Sequence, residues 1–214
     1  FPSDYFLPTL RAQGLLQPIQ HRLVPNLSHL DPDRLRLVTD QACAVSVPYM
    51  LSSTGIGFRK NLLPDAQPSW RLFDRPEVQG RMTLLDDARD TIGAALKLLG
   101  YSLNTIRDDE LAAAREVVLR WKKNAVRFDN VPCRNGSLPD ELALAHGYSG
   151  DLLRAAAAND AVVYAAPEEG ASLACDLIVI PKNACQVELA HRFINYLHDP
   201  EVAAANTEYV MFLC

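Results

Sequence analysis

Four aspartates set beside small or aromatic residues carry the chemistry most legible in this chain. They are Asp87 and Asp90 in Leu84-Leu85-Asp86-Asp87-Ala88-Arg89-Asp90, Asp151 in Gly147-Tyr148-Ser149-Gly150-Asp151, and Asp176 at the head of Asp176-Leu177-Ile178-Val179-Ile180-Pro181. A carboxylate at a helix start or beside an apolar strand needs a local partner or a ligand, because a buried unpaired charge is costly. The chemistry these acids share is the binding of a cation. A purely structural reading stands beside it: Asp87 and Asp90, three apart at a helix start, are also what a cap plus a favourable dipole contact produce. Asp151 reads equally as the cap of a helix over residues 152–158. Asp176 is harder to explain locally, since it precedes four apolar strand residues.

Catalytic chemistry has less support. Acid pairs can serve acid/base catalysis, but no candidate nucleophile accompanies these. The sequence holds no nucleophile elbow, glycine-rich phosphate loop or metal-binding histidine motif, and Gly147-Tyr148-Ser149-Gly150 lacks the second spacing residue of G-x-S-x-G. His21, His29, His146, His191 and His198 form no metal spacing and are expected on surfaces. Cys43, Cys133, Cys175, Cys185 and Cys214 form no C-x-x-C pair, so no metal site is expected. Their odd count allows at most two disulfides, and Cys43 and Cys175 read as small buried apolar residues. The expectation is a binding protein that is not an enzyme and carries no cofactor.

The elements that would position these acids alternate between strand and helix. A short β run from Arg81 ends at Leu84-Leu85; Asp86 or Asp87 then caps a helix with apolar positions Ile92, Ala95, Leu96 and Leu99, stopped by Gly100. Leu111, Ala114, Val118 and Trp121 predict a second helical stripe, and Leu189, Phe193, Ile194 and Leu197 a third. Residues 161–165 and 176–180 read as buried strands, and Asp199-Pro200 starts a last helix with Asp as cap and Pro in the first turn. A helix over residues 4–13 is interrupted by Pro8. This alternation predicts an α/β fold with mainly parallel strands. The loops 25–33, 64–76 and 129–140 are rich in Pro and polar residues but are not long flexible linkers, so a second domain would be joined by strands passing directly between lobes.

Composition bounds the function loosely. The 214 residues, 49% of them apolar, suffice for a substantial core in one large domain or two small ones. A net charge of −5 and a pI near 5.5 argue against nucleic acid or an anionic membrane as partner, since both call for clustered Lys and Arg.

Beyond the acids, an ordered series of motifs resembles a known family. Ser46-Val47-Pro48-Tyr49-Met50 and Ser53-Thr54-Gly55-Ile56-Gly57 are followed by residues 84–90 and Ile92-Gly93-Ala94-Ala95-Leu96-Lys97-Leu98-Leu99-Gly100-Tyr101. Residues 147–151, Pro167-Glu168-Glu169-Gly170, residues 176–181 and Phe193-Ile194-Asn195-Tyr196-Leu197-His198-Asp199-Pro200-Glu201-Val202-Ala203 complete the series. In joint order and spacing, from Pro2 to Phe212, they resemble the spermidine/putrescine-binding proteins of bacterial ABC importers. That resemblance implies a type II periplasmic binding protein-like α/β fold: two lobes hinged by crossover segments and closing on ligand in the cleft between them. Residues 1–48 and 176–214 would form an incomplete first lobe, and 49–175 the second, with crossings near 46–57 and 174–180. A signal peptide and a first strand–helix–strand unit are expected upstream of Phe1, and an early stop at Met211-Phe212-Leu213-Cys214.

Carried over residue by residue, the resemblance implies ligand contacts from Ser3 and Tyr5, amine recognition by Asp87 and Asp90, and a central acid near the hinge at Asp176. Asp151 matches an acid of the putrescine-preferring branch, which favours putrescine over spermidine. Tyr148 stands where the family usually has Trp, and Phe212 where it has Tyr; Leu51 and Ala174 replace aromatics. Asp90 is one methylene shorter than the Glu usual there, a difference of about 1.5 Å in reach. A polyamine needs carboxylates for its ammonium groups and aromatic faces for its methylene stem, and each cation–π contact contributes about 0.5 to 2 kcal/mol. By the same resemblance the protein is a periplasmic monomer whose closed, liganded form docks on the membrane permease of an importer. A regulatory or degenerate member of the same fold, without transport, is the alternative that the thinner aromatic set favours.

Overall fold

The computed structural model describes residues 1–133 and 137–213, so Cys214 lies outside the described residues. In chain order its α-helices are α1 (Leu7–Ala12), α2 (Pro32–Leu35), α3 (Ala88–Leu98), α4 (Asp108–Asn124), α5 (Ser149–Ala158), α6 (Val187–Leu197) and α7 (Pro200–Val210). The strands are β1 (Ser46–Arg59), β2 (Met82–Leu84), β3 (Ala125–Phe128), β4 (Leu144–Tyr148), β5 (Val162–Ala165) and β6 (Leu173–Val179). Two compact units result: unit 1 is Phe1–Ser52 with Ala174–Cys214, and unit 2 is Ser53–Leu173. The chain passes from one to the other inside β1 and again inside β6, with no intervening linker.

Unit 2 is organised by a sheet in the order β3-β2-β4-β1-β5. β2 is parallel to β3 and to β4, whereas β1 is antiparallel to both β4 and β5. The expectation of mainly parallel strands is therefore corrected to a mixed sheet. The strands β2 to β5 share one direction, and β1, which enters from the other unit, is inserted between β4 and β5 against them. Its burial changes along its length, from half-buried over residues 48–53 to fully buried from Thr54 to Arg59.

The main core of unit 2 gathers Trp70, Phe73, Met82, Leu84, Leu96, Trp121 and Leu144, with α3 and α4 over the sheet. Asp87 caps α3, accepting from the N–H groups of Arg89 (2.8 Å) and Asp90 (3.1 Å), and Gly100 follows its end at φ +78°. The buried face of α3 is Thr91, Gly93, Ala94, Ala95 and Leu96, whereas Ile92 and Leu99 are more than one-third exposed. Close approach, not side-chain size, selects this face: a Cβ on Gly93 would stand 3.0 Å from Leu103 Cδ2. In α4 the buried residues are Ala114, Val117 and Trp121, with Leu111 turned outward.

Close approach also explains two strand glycines. A Cβ on Gly57 would lie 2.5 Å from Leu152 Cδ2, so α5 rests directly on the β1 backbone. At Gly55 the added atom would meet Tyr164 Cε2 at 2.6 Å and the Ala165 carbonyl oxygen at 2.9 Å. The second neighbour is backbone and cannot rotate away. Gly55→Ala is expected to destabilise unit 2 by about 1–3 kcal/mol, read as a lower urea midpoint in tryptophan fluorescence; an unchanged midpoint would show that β5 yields freely.

Unit 1 contains α1, α2, α6 and α7, short 3-10 turns, the first part of β1 and most of β6. One apolar cluster joins Ile19, Val24, Val47, Ile178, Ile180, Ile194 and Leu197, and a smaller one joins Leu7, Val38, Cys175 and Leu177. The helix expected over 4–13 is a 3-10 turn, Asp4–Phe6, followed by α1, with Pro8 in the first turn where no intrahelical N–H is missed. α7 starts as expected, Asp199 accepting from Glu201 N–H at 3.0 Å beside Pro200.

The stripe expected on α6 is rotated. Leu189 and Phe193 are exposed, while His191, Ile194 and Leu197 are buried. His191 occupies a core position because both ring nitrogens are satisfied: Nε2 accepts from Gln20 N–H at 2.9 Å, and Nδ1 donates to the Val187 carbonyl at 2.7 Å. Surface histidines were the expectation, yet His146 and His198 are buried as well. His198 ring nitrogens lie 2.8 Å from the carbonyls of Ile194 and Pro48, and His146 packs against aromatic rings. Cys43, Cys133 and Cys175 are buried and free, and burial pushes the Cys43 thiol up to about 11 and the other two to about 12. Among the described residues no helix is long and apolar enough to cross a membrane.

Candidate functional site

Sheet topology fixes where the unit 2 candidates stand. β2 and β4 are parallel neighbours, Met82 opposite Leu144 and Thr83 opposite Ala145, so both end at the same edge of the sheet. Asp87 and Asp90 follow β2, while Tyr148 ends β4 and Asp151 follows it in α5. The carboxyl edge of parallel strands is where α/β folds expose helix N-termini and bind ligands. β1 runs the other way and pairs Thr54 with Tyr148, so its first unit 2 residues, Ser53 and Thr54, lie at this same edge.

The acids there have different partners. Asp87 is half-buried, and both of its capping bonds fall on Oδ1. Asp90 accepts from Ser172 Oγ at 2.5 Å, and Ser172 Oγ lies 3.1 Å from Thr54 Oγ1. Burial pushes the Asp90 carboxyl above the usual carboxylate range, with the Ser172 bond working against that rise. Asp151 does not cap its helix: α5 begins at Ser149 with Tyr148 as N-cap, so Asp151 sits in the first turn. Burial pushes it up too, opposed by Arg154, whose Nη2 is 3.3 Å from Oδ1. Tyr148 is half-buried.

Hydroxyls that sequence reasoning did not single out complete this edge. Ser53 N–H donates to Ser149 Oγ at 3.3 Å, and Ser53 Oγ lies 3.3 Å from Tyr164 Oη. Ser53 and Thr54 fall within a motif already noted, but nothing in the sequence marked Ser172 or Tyr164. A cavity of about 220 Å³ borders Asp87, lined also by Leu85, Thr91, Ile92, Val118 and Phe128 among others, and does not include Asp90, Tyr148 or Asp151.

Within unit 1, Asp176 is not at the head of its strand: β6 starts at Leu173. The acid is tolerated there because it alternates with buried Cys175 and Leu177 and so points to the opposite face. Ser3 Oγ donates to Asp176 Oδ1 at 2.9 Å across an antiparallel bridge, and Leu177 N–H donates to the Pro2 carbonyl at 2.8 Å. Tyr5, 47% exposed, packs its ring 4.6 Å from that of Phe6. Phe212 follows α7 and is half-buried; its neighbour Leu213 is tied to Leu51 by paired backbone bonds of 2.7 and 3.3 Å. A separate cavity of about 310 Å³ is lined by Tyr49, Met50, Leu51, Cys175, His198 and Leu213 among others, and by none of Ser3, Tyr5, Asp176 or Phe212. No group of three or more metal-ligating side chains occurs among the described residues.

The structure thus gathers Asp87, Asp90, Tyr148 and Asp151 at one edge of unit 2 and joins Ser3 to Asp176 in unit 1. At that edge of unit 2 the chain offers anionic acceptors, hydroxyls and a ring, groups able to meet an ammonium ion and an apolar stem. A family model described as bacterial extracellular solute-binding protein matches residues 1–213. The chain is 32% identical over 210 residues to the spermidine/putrescine-binding periplasmic protein of Escherichia coli K12, covering 98% of this chain and 60% of that one. It is 32% identical over 230 residues to the putrescine-binding periplasmic protein SpuD of Pseudomonas aeruginosa, covering 99% and 63%. Among solved structures, the TpPotD lipoprotein of Treponema pallidum superposes with a TM-score of 0.92 at 31% identity, covering 99% of this chain and 68% of that one. The chain spans 60 to 63% of the length of these two curated relatives.

Proposed function

The chain belongs to the bacterial extracellular solute-binding protein family, and on that premise we propose that it captures a polyamine in the periplasm for a membrane permease of an ABC importer. The observation that carries this reading is the set of carboxylates, Asp87, Asp90 and Asp151 with the ring of Tyr148, at the carboxyl edge of β2 and β4. Asp176, oriented by Ser3, is the proposed acceptor in unit 1, with Tyr5 and Phe212 as candidate rings. The relatives whose names specify spermidine or putrescine support the ligand class. Within it, we propose putrescine over spermidine, on the ground that Asp151, in the first turn of α5, matches an acid of the putrescine-preferring branch.

Isothermal titration with putrescine, spermidine, agmatine and a neutral amino acid tests this. Putrescine is expected to bind at micromolar or lower concentration and more tightly than spermidine, and the neutral amino acid not at all. Asp176→Ala is expected to weaken putrescine binding about 10- to 100-fold, the size of one lost charge-assisted hydrogen bond. Equal affinity for spermidine would remove the finer assignment. Absence of binding by any amine would overturn the polyamine reading and leave a member of the family without transport.

A further inference from the structure

We infer that Ser172, itself anchored by Thr54, is a positioning residue for Asp90 and so tunes the recognition of the ammonium group proposed to bind there; the inference rests on that reading of Asp90. Ser172 Oγ stands 2.5 Å from Asp90 Oδ1 and 3.1 Å from Thr54 Oγ1. An ionised carboxylate only accepts hydrogen bonds, so the serine proton is committed to Asp90, and Ser172 can then only accept from Thr54. The proton order along the chain is therefore fixed as Thr54 to Ser172 to Asp90. Each bond polarises the next, which strengthens the hold on a single carboxylate oxygen. Because that bond falls on Oδ1, Oδ2 is the oxygen presented to a ligand.

The surroundings make this hold consequential. Burial disfavours the charged form of Asp90, and the charges acting on it are Asp87, which opposes ionisation, and Arg89, which favours it, both from the start of α3. From outside the helix, Ser172 Oγ bonds the carboxylate directly, and Thr54 Oγ1 stands behind Ser172. A short carboxylate on a one-carbon stem has little freedom to find a ligand by itself, so its direction is set by whichever group bonds it. Thr54 is buried at 3% exposure, which holds the far end of the relay still. Both hydroxyl residues also adjoin the chain crossings: Thr54 is the second residue of unit 2 in β1, and Ser172 the second from its end before β6 leaves.

The test uses this chain with Ser172→Ala, Ser172→Thr, Thr54→Val and Asp90→Asn, following the Asp90 carboxyl by carbon NMR through a pH titration and putrescine affinity by calorimetry across the same range. Ser172→Ala is expected to move the Asp90 midpoint upward, to carry the acid limb of putrescine binding upward with it, and to weaken binding about tenfold at pH 6. Ser172→Thr, which keeps the hydroxyl, is expected to restore both, and Thr54→Val to give a smaller shift in the same direction. An Asp90 midpoint and acid limb that stay in place in Ser172→Ala and Thr54→Val overturn the inference. If Asp90→Asn binds putrescine like the unaltered chain, the reading of Asp90 as a ligand contact fails; if it loses binding while Ser172→Ala does not, only the positioning role fails.

Discussion

Unfolding of unit 2, followed through Trp70 and Trp121, is expected to cost progressively less free energy as the pH falls below 6.5, at about 1.4 kcal/mol per pH unit from His146 alone. Both of the chain's tryptophans lie in unit 2, so their emission reports on that unit. His146 is fully buried in β4, its ring 5.0 Å from that of Trp70 and 6.3 Å from that of Phe73, and neither ring nitrogen has a hydrogen-bond partner among the described residues. Burial pushes its pKa down from 6.5 to about 3. A base whose folded pKa is depressed binds protons better when unfolded, so stability is fully present above 6.5 and lost as the pH falls towards 3. The loss reaches about 3 kcal/mol by pH 4. His146→Leu is expected to remove this part of the acid sensitivity and, at pH 7.5, to leave stability equal or higher, since it replaces two unpaired polar atoms with apolar surface in an aromatic niche. Urea titrations of both forms between pH 7.5 and 4 decide the matter: parallel losses in the two proteins would show that His146 takes up its proton without unfolding.

That histidine also marks where sequence reasoning stops. Two acids were legible because caps constrain carboxylates locally: Asp87 and Asp199 cap helices where their sequences place them, whereas Asp151 lies in the first turn of α5 and Asp176 inside β6. Burial of a histidine is decided by partners far along the chain. His191 is in the core because Gln20, 171 residues away, donates to it, and no local pattern encodes that bond. With His191 inside, α6 turns Leu189 and Phe193 outward while Ile194 and Leu197 stay buried as expected, so one long-range bond displaced half of the stripe.

The fold was legible to a different depth in its two halves. β3, four residues with three of them exposed, carries no strand signal, whereas β2, α3 and α4 could be read from periodicity and punctuation. The direction of β1 could not, because a long apolar strand reads the same whichever way it pairs. In the candidate site, the edge shared by Asp87, Asp90, Tyr148 and Asp151 follows from the parallel pairing of β2 and β4. Ser172 is the instructive omission: an isolated serine in a loop carries no signal, and its role at Asp90 exists only because β1 and the segment before β6 meet near α3 within unit 2.

Asp40→Ala is expected to lower the stability of unit 1 by about 3–5 kcal/mol, because one buried carboxylate organises the turn that launches β1. Asp40 is 4% exposed, and its Oδ2 accepts from Val45 N–H at 2.8 Å, Ser46 N–H at 3.0 Å and Ser46 Oγ at 3.1 Å. Its own carbonyl accepts from Cys43 N–H at 2.9 Å, closing a turn in which Cys43 adopts φ +49°, a left-handed conformation that needs such support. Arg11 stands 3.9 Å from the other carboxylate oxygen and is itself half-exposed, so it adds little. Burial pushes the Asp40 carboxyl up, but the bonds from Val45, Ala44 and Ser46 outweigh it and hold the pKa below 3.8. The stabilisation is therefore present above pH 3.8 and lost as the pH falls through the folded value. Removing the side chain strands two backbone N–H groups and a hydroxyl in an interior site, each of which then carries its own desolvation cost. Asp40→Asn retains the shape and one acceptor but not the charge, and is expected to fall between the two. Urea unfolding followed by circular dichroism gives the magnitude, and hydrogen exchange at the Val45 and Ser46 amides gives the location. Exchange there should accelerate by at least the factor that global destabilisation requires. A loss below about 1 kcal/mol with protected amides would mean that the turn is held by β1 itself and that Asp40 only decorates it.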